Sequence, residues 1–401
     1  MAIVGAGAAG LSLAYRLTAV RTPSGGRVRV LLLEPPEGPE RPPARTWCFW
    51  EPESGEWDTA LGARWRRLSL IGADGAHHDS AIAPLVYKML RSTDHADFVR
   101  SRLEGEVEQV TATVTEIEDG VDRAVVRARD PAGGQCAFTA HWVYDSRPPG
   151  AVPGAPEAAT VLQHFRGWFL RTAADAFDPS TPTLMDFRTP QPRSGVSFGY
   201  VLPFDARAAL VEYTEFTREV LDDAGYEAAL GHYTRDVLGI EGVEITGVEQ
   251  GVIPMTDARF PTRVGRRVFR IGAGGGATRP ATGYTFAGIQ RQTAAVARAL
   301  AAGSAVPVPP IPHRQRHLAM DGVLLRALTA GRIEGADFFT RLFQRNATRQ
   351  VLRFLDGTSS LATEVRIGVT TPVAAMAATT AERAWWALRG RRAAPVAPPR
   401  T

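Results

Sequence analysis

A carboxylic acid can hand on a proton near neutral pH only where its surroundings hold the proton in place. The run Leu210-Val211-Glu212-Tyr213-Thr214-Glu215-Phe216 puts two acids on one strand-like segment. Strand side chains alternate, so Leu210, Glu212 and Thr214 share one face and Val211, Tyr213 and Glu215 the other. An acid on a covered face would have a raised pKa and could protonate a weakly basic partner. A second kind of chemistry is written at the start of the chain. Ile3-Val4 ends a β-branched run, Gly5-Ala6-Gly7-Ala8-Ala9-Gly10 follows, and an apolar helix continues through Leu11, Leu13, Ala14 and Leu17. Gly5 permits the tight turn, Gly7 lets the backbone approach a pyrophosphate, and Gly10 brings helix and strand together. The helix N-terminus offers N–H groups and partial positive charge to phosphates. Residues 27–33 read as a second strand ending in Glu34, which is placed to accept the hydroxyls of an adenosine ribose.

A second glycine-rich turn follows the strand-like Val268-Phe269-Arg270-Ile271. It holds Gly272, Gly274, Gly275, Gly276 and Gly283 and runs into a helix over residues 285–302. Its N–H groups are expected beside a negative partner such as the edge of a reduced flavin, with Gly274, Gly275 and Gly283 as cofactor-side positions. Asp145 ends the buried run 142–147. In flavoproteins of this general architecture such a strand returns to the nucleotide sheet, so Asp145 is a further cofactor-side candidate; Asp is also a common turn starter. The aromatic cluster Trp47-Cys48-Phe49-Trp50 is either core packing or an apolar wall beside the cofactor.

The bulk composition narrows the classes. The 401 residues suffice for two domains, and 44% hydrophobic with 22% charged residues is ordinary for a globular chain. The pI is about 9.3, yet the net charge is only +4 and Lys88 is the sole lysine. The arginines are scattered instead of forming a basic stripe, which argues against nucleic-acid binding. Cys48 and Cys136 are far apart without metal-ligand spacing, so no metal site is expected and both read as reduced thiols in the cytoplasm. The apolar first 14 residues lack a charged leading segment and carry the glycine fingerprint instead of a signal peptide. No stretch is apolar enough to span a bilayer.

The elements that must position these residues read as an α/β fold. A Rossmann-type FAD-binding domain is expected over residues 1–85, 100–150 and 265–305, and an antiparallel β substrate domain over 86–99 and 151–264. A helical region over 306–390 and a disordered Ala/Pro/Arg tail over 391–401 complete the division. Residues 107–114 and 122–128 read as meander strands. Residues 196–202 and 210–216 read as a hairpin across Pro203-Phe204-Asp205. Residues 337–343 and 351–355 interleave aromatic and aliphatic side chains with arginines, which fits helices packed on the domain or helices lying on a membrane.

Several stretches together resemble the flavin-dependent lycopene beta-cyclases. These are the Gly5–Gly10 turn with Glu34, Arg45-Thr46-Trp47-Cys48-Phe49, Tyr144-Asp145-Ser146-Arg147, Phe165-Arg166-Gly167-Trp168 and Met185-Asp186-Phe187. Tyr200-Val201-Leu202-Pro203, Val211-Glu212-Tyr213-Thr214, Ile253-Pro254-Met255 and the turn with Pro280, Thr282, Gly283 and Tyr284 complete them. Many flavin monooxygenases have Gly-Asp where this chain has Gly272-Ala273, a departure that favours the cyclases. Many cyclases have two adjacent acids where this chain has Glu212-Tyr213, so only Glu212 carries over as the essential acid, with Glu215 a weak substitute for the second. The resemblance implies reduced FAD as cofactor, NAD(P)H as its reductant, lycopene or a related carotene as substrate, and a cytoplasmic protein peripheral to the inner face of the cell membrane. It also implies a pocket including Trp168, Asp186, Phe198 and Tyr284, the aromatic members facing a carbocation. The competing expectations are a redox flavoenzyme (a monooxygenase, halogenase or prenyl reductase) and a non-catalytic carotenoid or nucleotide carrier. Oligomeric state is not written in the sequence.

Overall fold

In the computed structural model, which describes residues 1–150 and 158–390, the β-branched run at the start of the chain becomes a central strand. Ala2–Val4 lies in a five-stranded parallel sheet ordered Val268–Arg270, Val143–Asp145, Ala2–Val4, Leu31–Glu34, Glu108–Thr111. Strands buried on both faces must be apolar throughout. Ile3 packs with Leu11, Leu13 and Leu17 of the Ala8–Thr18 helix and with Phe286, Ile289 and Val296 of the Phe286–Ala301 helix. Val4, Leu33 and Val143 face a meander carrying Ala124, Val126 and Ala128. The chain first leaves the central strand to one side and later adds strands on the other. The C-terminal end of Ala2–Val4 is therefore a topological switch point, where open α/β sheets take their ligands.

The second layer is a seven-stranded sheet ordered Glu244–Thr256, Thr160–Arg171, Ala208–Thr217, Val196–Pro203, Thr183–Asp186, Arg67–Ile71, Ser80–Ala81. A three-stranded sheet of Thr46–Pro52, Leu85–Arg91 and Ala63–Trp65 lies over one face, together with the C-terminal helices. Trp50, Tyr87, Phe198, Leu210, Phe216, Phe339 and Leu352 share that core. The other face is covered by the helix Asp223–His232, through Tyr226 and Leu230 against Trp168, Val211 and Tyr213.

Three expectations are revised. Arg67–Ile71, placed with the nucleotide domain, pairs in parallel with Thr183–Asp186 in the large sheet. Residues 92–99, placed with the substrate domain, begin the helix Ser92–Leu103, whose Val99 and Leu103 pack in the nucleotide core with Leu11 and Leu13. Local pattern decides that an apolar run is a strand, but long-range pairing decides which sheet it joins. The 107–114 segment is two strands: Glu108–Thr111 enters the parallel sheet, and the chain turns at buried Ala112, whose N–H donates to the Glu34 carbonyl, before Thr113–Glu118 starts the meander. The 391–401 tail lies outside the described residues.

The helices after the Pro-rich joint are tied down by buried polar contacts. Arg279, next to Pro280 of the second glycine turn, pairs with Asp321 of the Gln315–Thr329 helix, both nearly inaccessible. The Trp50 indole N–H donates to the Leu352 carbonyl at 3.0 Å. Phe338, Phe339, Leu342, Phe343, Val351 and Leu352 all point inward. The aromatic and aliphatic stripes of these helices are thus core and cavity wall.

Candidate active site

The three glycines of the first turn have separable physical reasons. Gly5 has φ +93°, and a Cβ there would meet the Ser146 hydroxyl at 2.6 Å. A Cβ at Gly10 would sit 1.9 Å from the Gly5 carbonyl oxygen, so only glycine lets the helix come this close to the strand. At Gly7 nothing lies within 4 Å, and the helix it begins has neither a side-chain cap nor an acid in its first turn. A close-packed seat with an open mouth is the cradle a pyrophosphate needs, so these residues fit a dinucleotide. Glu34 ends the adjacent strand, its Oε2 held by Arg100 at 2.8 Å and Arg41 at 3.5 Å.

The second glycine turn packs against the same end of the sheet. Gln292 ties it together, accepting from the Gly272 N–H at 2.9 Å and donating to the Gly275 carbonyl at 3.1 Å. Gly274 lies against the Arg147 carbonyl and Gly275 against that of Arg270, where a Cβ would come within 3.0 Å and 2.5 Å. Gly283 has φ +69° and abuts the Gln163 side chain. Asp145 stands beside Val4, as expected of a strand returning to this end, but its carboxylate is gripped by Arg147 at 2.9 Å through each oxygen.

Beside this turn, between the large sheet and its cover, is a cavity of about 350 Å³. Its walls are mostly apolar: Trp47, Trp50, Phe165, Phe198, Phe216, Phe339 and Phe343 contribute, with Thr282–Phe286 closing the side toward the nucleotide turn. Glu212 lines it, opposite Tyr200 in the strand register. Burial pushes the Glu212 carboxyl up to about 8, offset by the Thr214 hydroxyl, which donates to Oε1 at 2.7 Å, and reinforced by the charge of Glu249. At neutral pH this acid keeps its proton. Above it, the Tyr87 hydroxyl meets those of Tyr200 at 2.8 Å and Tyr284 at 3.2 Å. Desolvation raises all three tyrosines and lifts the Cys48 thiol to about 12, so this wall is polar but uncharged.

The Lycopene cyclase protein family model matches residues 1–381 of this sequence. The chain belongs to the lycopene cyclase family. No curated protein sequence matches it. Among solved structures, it is similar to a geranylgeranyl bacteriochlorophyll reductase-like protein from Thermoplasma acidophilum, with a TM-score of 0.67 at 11% identity over 94% of this chain and 97% of that one. It is also similar to a flavoprotein/dehydrogenase from Cytophaga hutchinsonii, with a TM-score of 0.61 at 13% identity over 96% and 98%. A third is the flavin-dependent brominase Bmp2, with a TM-score of 0.57 at 16% identity over 92% and 97%. At such identities the likeness is one of fold: the α/β architecture of flavin-dependent monooxygenases and reductases, with a helical C-terminal region.

In this lycopene cyclase family member the expected site residues divide. Glu212, Phe198 and Tyr284 meet at the cavity, and Gly283 lines it beside Gln163 and Ile253. Trp168 and Asp186 do not reach it. Trp168 pairs with Val211, one position out of phase with Glu212, and packs under the Asp223–His232 helix. Asp186 is fully buried on that same side, accepting from the Tyr233 hydroxyl at 2.9 Å and paired with Arg188. Glu215 also faces away, accepting from Tyr213 at 2.7 Å beside His164, so it cannot assist Glu212. The cavity carboxylate that sequence reading missed is Glu249. The strand Glu244–Thr256 brings Glu249, Gly251, Val252 and Ile253 to the cavity lining, while Val248 is exposed. Among the described residues no cluster of three His, Cys, Asp or Glu side chains is placed to hold a metal ion.

Proposed function

We propose that this chain closes the acyclic ψ end groups of lycopene or a related carotene into β rings, by an acid-initiated cyclisation without net oxidation. The observation that carries this reading is one buried carboxyl, Glu212, whose pKa burial raises, in an aromatic cavity walled on one side by residues 281–286 of the second glycine turn. An isolated alkene is a very weak base, so its protonation needs a positioned acid in a water-poor pocket. Thr214 fixes one oxygen of Glu212, and the carboxyl delivers its proton to C2 of the end group, leaving a tertiary cation at C1. The C5=C6 π bond attacks C1, the cation moves to C5, and loss of the C6 proton leaves the β-ring double bond. Phe198, Trp50 and Tyr284 line the cavity in which that charge would develop, and aromatic rings can stabilise a cation. Reduced FAD, seated by Gly5, Gly7, Gly10 and Glu34 with Gly274, Gly275 and Gly283 near its flavin end, would supply negative charge beside the cation without being consumed, NAD(P)H being its reductant.

The test is incubation of the purified chain with lycopene, FAD and excess NAD(P)H, in parallel under nitrogen and in air, followed by chromatography of the carotenoids. Ring-bearing carotenes without added oxygen and without stoichiometric NAD(P)H oxidation support the reading. Reductant consumed in proportion to an oxygenated or hydrogenated product would establish the redox flavoenzyme, and unchanged lycopene the carrier.

We further propose that the protein takes this substrate from a membrane surface, at the inner face of the cytoplasmic membrane. No helix among the described residues is long and apolar enough to cross a bilayer. The helices Leu361–Thr370 and Val373–Gly390 instead have an inverted pattern: Leu361, Val365, Val369, Val373 and Leu388 are each more than half exposed. Their acids turn inward, Glu364 to Arg316 and Glu382 to Arg326 and Arg332, and Arg383 pairs with Asp257. This face, and not the 337–355 aromatics, is the one suited to lipid. The double substitution Val365→Asp, Val369→Asp is expected to reduce co-sedimentation with anionic lipid vesicles by about tenfold, while detergent-dispersed lycopene is still cyclised. Unchanged sedimentation would remove this face from consideration.

A further inference from the structure

Ring closure needs a base as well as an acid, and the sheet holds a second carboxylate in register with the first. Gly167 is paired with Glu212 on one side and with Glu249 on the other. Residues directly opposite in antiparallel strands point to the same face, so both acids face the cavity from either side of a position that has no side chain. Two interstrand steps separate their Cα atoms by about 10 Å. A Cβ at Gly167 would sit 3.4 Å from that of Glu212, so a larger residue there would fill the space between the two acids. The surroundings of the two carboxyls differ. Glu212 receives one hydrogen bond, from Thr214, whereas Glu249 accepts on both oxygens, from the Thr46 N–H at 2.7 Å and the Thr46 hydroxyl at 2.6 Å. An acid that accepts on both oxygens has the hydrogen-bond pattern of a carboxylate. The strand Thr46–Pro52 that supplies Thr46 also supplies Trp47, Cys48 and Trp50 to the cavity wall, so the clamp belongs to the site.

We infer that Glu249 is the base of the reaction: the Glu212 proton adds at C2, and the Glu249 carboxylate removes the C6 proton across the Gly167 gap. This rests on the cyclase reading proposed above. One C–H bond forms at C2, the C1–C6 bond closes, and the C6–H bond breaks to give C5=C6. The proton gained by Glu249 equals the one lost by Glu212, and exchange with solvent between turnovers restores both acids. No oxidant or reductant enters the balance. Paired acids with opposed environments are the usual arrangement for such a division of roles.

The test uses the full chain with pre-reduced FAD and lycopene, comparing wild type with Glu249→Gln and Glu249→Asp, and reads ring type as well as rate. Glu249→Gln is expected to lower β-ring formation at least about 100-fold, with the residual product shifted to rings whose double bond comes from loss of a C4 or methyl proton. Glu249→Asp should keep the β-ring product at a rate reduced about tenfold or more. A purely structural role would lower the rate without changing ring type. Equal loss of all rings with unaltered ring type, or β-ring formation by Glu249→Gln at the wild-type rate, would overturn the assignment. If Glu249→Gln does not retain FAD, Glu249→Asp decides: a wild-type rate would overturn the proposal. Wild-type protein that makes no rings at all would overturn the cyclase reading itself, whereas an active wild type with an indifferent Glu249 overturns only this role.

Discussion

Glu212→Gln is expected to lose ring formation by a factor of ~10²–10⁴ while becoming more stable than the wild-type protein. Glutamine keeps the shape and can still accept from Thr214, but it has no acidic proton to give. The stability gain follows from the same burial that makes the acid useful. With a folded pKa of about 8 against an ordinary 4.5, Glu212 stays protonated in the cavity while the unfolded chain ionises it. Its contribution is fully present below about pH 4.5 and is lost progressively until about pH 8. At pH 7 the cost is on the order of 3 kcal/mol, an upper figure for what glutamine could recover. Thermal melts at pH 4 and pH 7 check this: the variant should gain on wild type at the higher pH and little at the lower. Wild-type activity should decline as pH rises through about 8, because the proton-bearing form is the working one. Glu249 and Arg45 are the charged groups facing the same cavity, with Tyr200, Tyr284 and Cys48 neutral there. A Glu212→Gln protein that cyclised at the wild-type rate would remove this acid from the mechanism.

The second large effect distinguishes binding a dinucleotide from holding the fold. Gly7 has extended, negative-φ backbone and open space around it, so Gly7→Val should fold normally yet fill the phosphate seat. We expect a melting curve like that of the wild type in the absence of flavin, and FAD affinity weakened by at least about 100-fold. Gly10→Ala is expected to do the reverse first: its methyl would collide with the Gly5 carbonyl, a backbone atom that cannot swing aside, at a cost of about 1–3 kcal/mol or more. Flavin fluorescence titration and calorimetry separate the two. Equal FAD affinity in Gly7→Val and wild type would contradict the placement of the pyrophosphate.

What the sequence revealed about this site, and what it hid, follows from which interactions are local. The first glycine turn was legible because a strand, three spaced glycines, a helix and a terminal acid lie within one contiguous unit, each with its own steric demand. Alternation put Glu212 and Glu215 on opposite faces of one strand without telling which face is covered, and it was the resemblance to the lycopene cyclases that singled out Glu212. Trp168 and Asp186 were misplaced because the face on which a residue lies depends on register with its neighbours. Trp168 is next to Gly167 in the chain yet on the other side of the sheet. Glu249 was missed because the 246–253 run shows only that a strand is there; which of its residues reach the cavity depends on its edge position and its pairing with Thr160–Arg171. The inward turn of Phe339 and Phe343 was equally beyond local reading, since arginines between aromatics fit a packed helix and a lipid-facing one alike.

The central claim is that a proton from the protein starts the reaction, and solvent isotope labelling tests it most directly. Wild-type protein equilibrated in deuterium oxide with pre-reduced FAD and lycopene should yield carotene carrying one solvent deuteron per ring, at C2, with no oxygen added. In Glu212→Gln that labelled product should be absent. Rings formed without deuterium at C2, or product bearing oxygen or hydride drawn from NAD(P)H, would contradict the account.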